Sequence, residues 1–169
     1  MTELRDWGFK PIIDREIPPP SEERIQKFEK SCRVKLPEDY LSFLKEFNGA
    51  QSENRSLDCN GHSYCVERFL CLLDRDVAER RNDISWFEIG MNIAYICERL
   101  TDDGDAYGVK LVPIADLFLG DLVCLDFRKD PDNPSVCVWN HEESDDFVPV
   151  TYKVADSFTE FLNMLYNGD

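Results

Sequence analysis

The sequence predicts an α+β domain, with an N-terminal helical hairpin and a C-terminal helix packed on a mainly antiparallel sheet of about five strands. Three observations lead to this prediction. Two amphipathic helical patterns follow residue 20, four short apolar runs follow residue 108, and a further helical pattern lies near the end of the chain. Because the links between the apolar runs are too short for crossover helices, neighbouring runs should pair antiparallel.

The first helix is predicted to begin after the proline run 18–20. Ser21 can cap its N-terminus, and Glu22 and Glu23 can fill its first turn, where negative charge is favourable. The residues of its apolar stripe are Ile25, Phe28 and Cys32.

The second helix has both of its ends marked in the sequence. Pro37 fits the first helical position because its φ angle is already helical and it has no N–H to leave unpaired. Gly49 can end the helix in the left-handed conformation. We expect the two helices to form a hairpin in which Phe28 packs against Tyr40 and Phe43. The apolar stripe of the second helix consists of Tyr40, Phe43, Leu44 and Phe47.

The middle of the chain is harder to interpret. The polar segment 51–62 is typical of a loop, and the apolar segment 64–73 predicts a strand that ends in a turn at Asp74. Val77 and Ala78 can begin a helix, but Gly90 interrupts the helical pattern. A helix over 92–100 is the firmer expectation there.

The four later runs predict strands at 109–115, 121–127, 136–141 and 147–152, which the strand near Tyr64 extends to five. The final helix presents an apolar face made of Phe158, Phe161, Leu162 and Leu165. A chain of 169 residues is long enough for one sizeable core. We therefore expect a single domain over 21–169, preceded by an N-terminal strap over 1–20 that lies on its surface; a partner-binding arm is the alternative.

Charge narrows the range of partners. The chain has 34 acidic and 19 basic residues, a net charge of -15, which repels nucleic acid and anionic membranes and attracts basic partners. No apolar run reaches the roughly 18 residues of a membrane helix, and the first residues do not resemble a signal peptide. We therefore expect a cytoplasmic protein that binds neither nucleic acid nor membrane.

The seven cysteines are expected to be reduced thiols, because several of them lie in apolar patterns: Cys71, Cys97, Cys124 and Cys137. Cys59, His62 and Cys65 have a spacing that could form part of a zinc site, but the sequence offers no evident fourth ligand. We therefore predict no metal and no cofactor.

The sequence contains no nucleophile elbow, phosphate-binding loop, dinucleotide fingerprint or metalloprotease motif. His141 and Glu142 could be an acid–base pair, but adjacent strand residues point to opposite faces, which favours a structural or surface histidine. The acidic run near Gly104 lacks the full calcium-loop pattern. Gly120 and Asp121 fit a tight turn in which the Asp binds backbone amides.

A family resemblance adds to this interpretation. The segment 25–49 resembles the opening helices of the SUKH superfamily, which includes the Smi/Knr proteins. The residues that carry this resemblance are Leu36-Pro37-Glu38-Asp39-Tyr40 at the centre of the segment and Asn48-Gly49 at its end. The segments 112–126 and 136–142 and the final helix are similar to later parts of that family in the same order. The resemblance covers roughly residues 21 to 166. It implies a protein without enzymatic activity that binds and neutralises a toxin domain, often a nuclease; an intracellular adaptor or regulator of cell-wall synthesis is the alternative.

Two acidic clusters are the candidate partner-binding residues, although each could be an ordinary solvated surface. Carboxylates in loops can imitate the phosphates that a basic nuclease cleft binds, and neighbouring aromatic residues can slow dissociation. Trp86, Phe87 and Trp139 are candidate anchors of that kind, with core packing as the alternative. The acidic candidates are Asp102, Asp103 and Asp105 in the first cluster, and Glu142, Glu143, Asp145 and Asp146 in the second.

Overall fold

The structure is a computed structural model, and it describes residues 9–11, 17–104 and 109–168. Pairs of helices and runs of strands follow one another along the chain, and two 3₁₀ turns flank the fourth helix at Asn82–Phe87 and Cys97–Arg99. In chain order they are β1 (Lys10–Pro11), α1 (Glu22–Cys32), α2 (Glu38–Glu46), β2 (Ala50–Gln51), β3 (Ser56–Cys59), β4 (His62–Phe69), α3 (Arg75–Arg80), α4 (Ile89–Ile96), β5 (Leu111–Leu117), β6 (Leu122–Asp126), β7 (Ser135–Trp139), β8 (Thr151–Ala155) and α5 (Phe158–Met164).

The strands form one antiparallel sheet in the order β1-β2-β4-β5-β6-β7-β8, and β3 pairs with the first half of β4. This arrangement confirms the predicted α+β class, and β4 extends the later meander as expected. The described sheet is larger than the predicted five strands. Two of the additional strands, β1 and β2, have only two residues each, too few to show a pattern in the sequence.

The third additional strand corrects the prediction of a loop over 51–62. β3 and β4 form a hairpin whose two turn residues, Asn60 (φ 52°) and Gly61 (φ 76°), both have positive φ angles. A two-residue turn of this kind matches the twist of paired strands, and Asn-Gly is its preferred sequence. The Asn60-Gly61 pair is visible in the sequence as a turn signal. The strand before it was missed because only Leu57 in β3 is fully buried, which leaves the strand with little apolar pattern.

The first helix forms as predicted. The hydroxyl of Ser21 accepts a hydrogen bond from the backbone N–H of Arg24 (3.1 Å), which caps α1. Arg33, with φ 57°, ends the helix in the left-handed conformation. The three residues of the predicted stripe, Ile25, Phe28 and Cys32, are all buried.

The second helix contacts the first at one end, where Lys45 near the end of α2 forms a 2.7 Å ion pair with Glu22 at the start of α1. Pro37 stands just before the helix rather than at its first position. The rings of Tyr40 and Phe43 each lie 5.1 Å from the ring of Phe158 in α5. The helix therefore packs on α5, and the predicted contact with Phe28 stays a prediction.

The fourth helix corrects the expectation that Gly90 interrupts the pattern and that a helix covers 92–100. Glu88 caps α4 by accepting a 2.9 Å hydrogen bond from the backbone N–H of Met91. A Cβ atom on Gly90 would lie 2.9 Å from the same carboxylate, so glycine leaves room for this cap. The α-helix ends at Ile96, and a 3₁₀ turn follows it.

The central strands are buried on both faces. Along β6, Leu122, Val123, Cys124 and Leu125 alternate between the two faces, and all four are buried. This double burial explains why the later strands are almost continuous apolar runs in the sequence. A cluster of phenylalanine rings forms part of the core: Phe9, Phe43, Phe69, Phe158 and Phe161.

The boundaries of the predicted strands shift in the structure. The strand predicted over 64–73 covers 62–69, and the strand predicted over 109–115 covers 111–117. The strand predicted over 147–152 begins only at Thr151, and Phe147 lies in the preceding loop. The strand predicted over 136–141 ends at Trp139. In the N-terminal strap, Phe9 packs on Phe43 with a centroid distance of 5.1 Å, while Trp7, Ile12 and Ile13 lie outside the described residues. The strap and the single domain remain predictions.

Candidate partner-binding site

The acidic loop, residues 140–150, joins β7 to β8 and has a defined backbone. The side-chain oxygen of Asn140 accepts hydrogen bonds from the backbone N–H groups of Glu142 (2.9 Å) and Glu143 (3.0 Å). Ser144 is buried, and its hydroxyl accepts a 2.8 Å bond from the N–H of Val150. These bonds fix the loop while its four predicted acidic residues remain exposed: Glu142, Glu143, Asp145 and Asp146.

Two of these carboxylates also bind within the protein. The hydroxyl of Tyr152 donates a hydrogen bond to Glu143, and this bond raises the pKa of the tyrosine. The carboxylate of Asp145 accepts a 2.8 Å bond from the backbone N–H of Asp146. Glu142 and Asp146 are therefore the carboxylates of the loop that can be changed with the least effect on its shape.

Arg99 anchors a second segment on the acidic loop. Its guanidinium donates to the backbone carbonyls of His141 and Ser144, the latter bond being 2.8 Å long. In the same region, the backbone N–H of Phe147 donates to the carbonyl of Glu98 (2.7 Å). The 3₁₀ turn after α4 and the acidic loop thus form one hydrogen-bonded unit.

The first acidic cluster follows this turn. Asp102 and Asp103 are exposed, whereas Asp105 lies outside the described residues. The pKa of Arg128 is raised first by its hydrogen bond to Asp126 and to a smaller degree by the charge of Asp102. The first cluster thus follows the 3₁₀ turn whose Arg99 binds the acidic loop.

His141 pairs with Asp121 rather than with its neighbour Glu142. Its Nδ1 lies 2.6 Å from the Oδ1 of Asp121, and the same oxygen accepts a 3.0 Å bond from the backbone N–H of His141. The ring packs against Gly120, where a Cβ would lie 3.4 Å from the imidazole. Gly120 lies in the turn before β6, as expected, but the backbone amide that Asp121 binds belongs to His141, 20 residues further along the chain, and not to the turn itself. This pair fastens the acidic loop to the turn between β5 and β6.

Sequence reasoning missed a set of exposed apolar residues at this end of the sheet. They lie in the turn after β5 and in the acidic loop, and two of them have the left-handed backbone that bulky residues rarely adopt: Leu119 (φ 75°) and Phe147 (φ 59°). The sequence did contain a sign of this set, because large apolar residues occur there in segments that should connect strands and be polar. The set consists of Phe118 (58% exposed), Leu119 (76%), Phe147 (39%) and Val148 (57%).

The three aromatic candidates have different environments. Trp139 is only 2% exposed, and its indole N–H donates to the carbonyl of Arg99 (3.0 Å), so its prediction as a partner anchor is wrong. Phe87 is half-buried beneath the guanidinium of Arg68. Trp86 is 65% exposed and is the candidate that is free to meet a partner.

The cysteines offer no evident metal chemistry. Cys59 and His62 are cross-strand neighbours in the β3–β4 hairpin, and within the described part of the chain no group of three or more His, Cys, Asp or Glu could hold a metal ion. All seven cysteines have free thiols. Burial raises the pKa of Cys71 to about 12, which makes its thiol unreactive near neutrality. Cys97 is exposed, contrary to its predicted place in the core.

The fold and the site define a class: an α+β domain with a structured, exposed acidic loop at one end of an antiparallel sheet. Among the described residues, no helix has the length and apolar character needed to cross a bilayer. The SUKH_6 family model, described as SMI1-KNR4 cell-wall, matches residues 22–162. The chain belongs to this family, which includes immunity proteins of toxin systems.

A comparison with curated proteins gives one relative of the chain. The protein is 24% identical over 166 residues to the SPbeta prophage-derived uncharacterized protein YokK of Bacillus subtilis (strain 168). The match covers 93% of this chain and 77% of the relative. No solved structure matches the chain.

Proposed function

We propose that this protein is an immunity protein that binds a cognate basic toxin domain, nuclease-like in its chemistry, and neutralises it by stoichiometric occlusion in the cytoplasm. The observation that carries the proposal is the acidic loop, whose four carboxylates are exposed on a backbone fixed by Asn140, Ser144 and Arg99. Family membership and the net charge of -15 support it.

The electrostatic part of the mechanism follows from the chemistry of nucleases. A nuclease binds phosphates in a basic cleft, and a loop with closely spaced carboxylates can enter such a cleft in place of the substrate. Attraction between the acidic protein and the basic cleft increases the rate of encounter, and added salt weakens this attraction. A fixed loop backbone lowers the entropy lost on binding.

The apolar part of the mechanism sets the rate of dissociation. Phe147 and Val148 lie within the acidic loop, and Phe118 and Leu119 lie in the turn that the His141–Asp121 pair fastens to it. Burial of such side chains removes apolar surface from water, and most affinity differences between related complexes arise in the dissociation rate. The proposal therefore assigns association to the carboxylates and residence time to the apolar residues.

The action that we propose is not catalytic. In catalytic triads a carboxylate orients a histidine toward a nucleophile, but here Asp121 binds both the ring and the backbone N–H of His141, which gives the pair a positioning role. A His141→Ala variant should therefore still neutralise the toxin, because the backbone contacts of residue 141 remain. Loss of neutralisation in a folded variant that still binds the toxin domain would indicate a chemical role for the imidazole.

The test uses a toxin domain encoded beside the gene for this protein. Co-expression should restore growth, and the purified complex should have 1:1 stoichiometry and weaken as salt increases. A Glu142→Lys and Asp146→Lys double variant should lower the affinity at least tenfold. A Glu46→Lys and Asp132→Lys variant is the matched control, because it makes the same charge change at exposed positions outside the loop.

Two results would contradict the proposal. The first is equal affinity of the loop variant and the control variant, which would remove the acidic loop from the interface. The second is the absence of any complex with the neighbouring toxin domain. In that case an adaptor or regulator function becomes the better proposal, which the description of the family, SMI1-KNR4 cell-wall, favours.

A further inference from the structure

Trp86, in the 3₁₀ turn before α4, and Tyr95, in α4, form a stacked pair of exposed aromatic rings. Trp86 and Tyr95 are 65% and 66% exposed, and their ring centroids lie 6.0 Å apart with an interplanar angle of 12°. Met91, on the same face one turn before Tyr95, is 42% exposed. Single exposed apolar residues need no explanation, but a contiguous group of them marks a surface that meets a partner.

The backbone that carries Trp86 is fixed to α4 by hydrogen bonds. Asn92 donates hydrogen bonds from its side chain to the carbonyl of Trp86 (3.1 Å) and to that of Glu88 (2.9 Å). The opposite face of α4 carries Ile89 and Ile93, which are both buried. The helix is thus apolar on two sides, and the core requires only one of them.

The surroundings of this face are acidic. An open groove of about 980 Å³ runs from Met91 along the start of α1 and α3. All three of its basic side chains are engaged at close range, because Arg24 pairs with Glu88 (2.9 Å), Lys27 with Glu23 (3.0 Å) and Arg75 with Glu79 (3.1 Å). The carboxylates that line the groove are Glu23, Asp74, Asp76, Glu79 and Glu88.

We propose that the stacked pair Trp86–Tyr95, with Met91, is the docking surface for an arginine-bearing segment of a basic protein partner, with the guanidinium on the exposed face of Trp86. The inference rests on the proposed function in that this partner is the same basic domain that meets the acidic loop. Arginine fits better than lysine because its planar group stacks on an aromatic face. The segment then continues into the acidic groove beside Met91.

The position of α4 fits a continuous interface. The 3₁₀ turn that follows α4 contains Glu98 and Arg99, which bind the acidic loop directly. Tyr95 lies three residues before Glu98, and both side chains are exposed. A basic domain seated on the acidic loop can therefore reach the aromatic pair along one side of the molecule.

The test uses a defined probe, an acetylated peptide of alternating arginine and glycine, titrated into the full-length ¹⁵N-labelled protein and followed by NMR. We expect the indole signal of Trp86 and the amide signals around Tyr95 to shift. Trp86→Ala should weaken binding at least fivefold, whereas Trp86→Phe should retain most of it. A matched peptide of lysine and glycine should bind more weakly.

Three results would overturn the inference. The first is a set of NMR shifts confined to the acidic loop, and the second is equal affinity of the peptide for Trp86→Ala and for the wild type. The third is a concentration-dependent dimer that covers Trp86 and that the peptide does not disperse. The design separates this inference from the proposed function. If the protein does not bind the toxin domain but still binds the peptide at Trp86, the docking surface is supported and only the proposed function fails. The loop variant Glu142→Lys and Asp146→Lys should still show the peptide-induced NMR shift at Trp86.

Discussion

Asp39 at the start of α2 caps the start of α5 through Thr159. Its Oδ2 accepts hydrogen bonds from both the backbone N–H and the hydroxyl of Thr159, each 3.0 Å long. The next N–H of α5, that of Glu160, is capped by the hydroxyl of Ser157 (3.1 Å). A carboxylate contributed by another helix thus satisfies a helix end that the local sequence could satisfy only in part.

Replacement of Asp39 by alanine should lower the free energy of unfolding by about 1–2 kcal/mol, because it leaves an N–H of α5 without its acceptor and removes a charge from the helix terminus. Urea denaturation measures the change. Glu38→Ala is the matched control, since Glu38 is exposed in the same first turn, and we expect a change within about 0.5 kcal/mol there. Equal effects of the two substitutions would contradict a capping role.

Asn48 fastens the segment before α1 and the segment after β4 to the end of α2. Its amide N–H groups donate to the carbonyls of Pro18 and Leu72, and its carbonyl accepts from the N–H of Leu72, all at 2.8 Å. Asn48→Ala should destabilise the fold by about 2–4 kcal/mol, because it leaves these buried groups unpaired. Faster hydrogen exchange of the Leu72 amide should accompany the loss. Asn163→Ala, at an exposed position of α5, should change neither quantity measurably.

The parts of the fold that depend on local chemistry could be predicted from the sequence. The Ser21 cap and the stripe of α1 involve neighbours within a few residues, and both are present in the structure. The missed parts depend on contacts distant in sequence or on special backbone geometry. The start of α4 was missed because Gly90 acts there as space for the Glu88 carboxylate, and a sequence pattern shows such a glycine only as an interruption.

In the candidate site, too, local features could be predicted from the sequence and contacts between distant residues could not. The acidic clusters are visible as runs of like charge, but their anchoring through Arg99 and the pairing of His141 with Asp121 join residues 20 to 45 positions apart. Trp86 and Trp139 illustrate a second limit. Both lie in apolar patterns, and the sequence alone could not show that the first is exposed and the second buried.

Tyr40 has a buried hydroxyl for which the described residues provide no hydrogen-bond partner. The ring is 1% exposed and lies edge-on to Phe158, and burial raises the pKa of the phenol. Tyr40→Phe should therefore leave the stability unchanged or raise it by up to about 1 kcal/mol, since it removes an unpaired polar group. Tyr40→Ala is the contrasting variant, and loss of the ring should cost about 3–5 kcal/mol. A clear destabilisation by Tyr40→Phe in thermal unfolding would show that the hydroxyl has a partner.

Asp116 gives the stability a distinctive pH dependence. It lies in β5, and burial raises its pKa to about 6, although the charge of Arg68 at 3.8 Å opposes the shift. Because the folded state holds this proton more tightly than the unfolded chain does, the stabilisation by protonated Asp116 is fully present below about pH 4 and is lost as the pH rises through 6. A shift of about two units corresponds to at most about 3 kcal/mol.

The variant Asp116→Asn removes this pH dependence. The difference in unfolding free energy between wild type and variant should therefore change between pH 4 and 7, and the higher pH should favour the variant. Urea titrations across that range measure the difference, while the other carboxylates, present in both proteins, cancel. A difference that stays constant from pH 4 to 7 would show that Asp116 has an ordinary pKa.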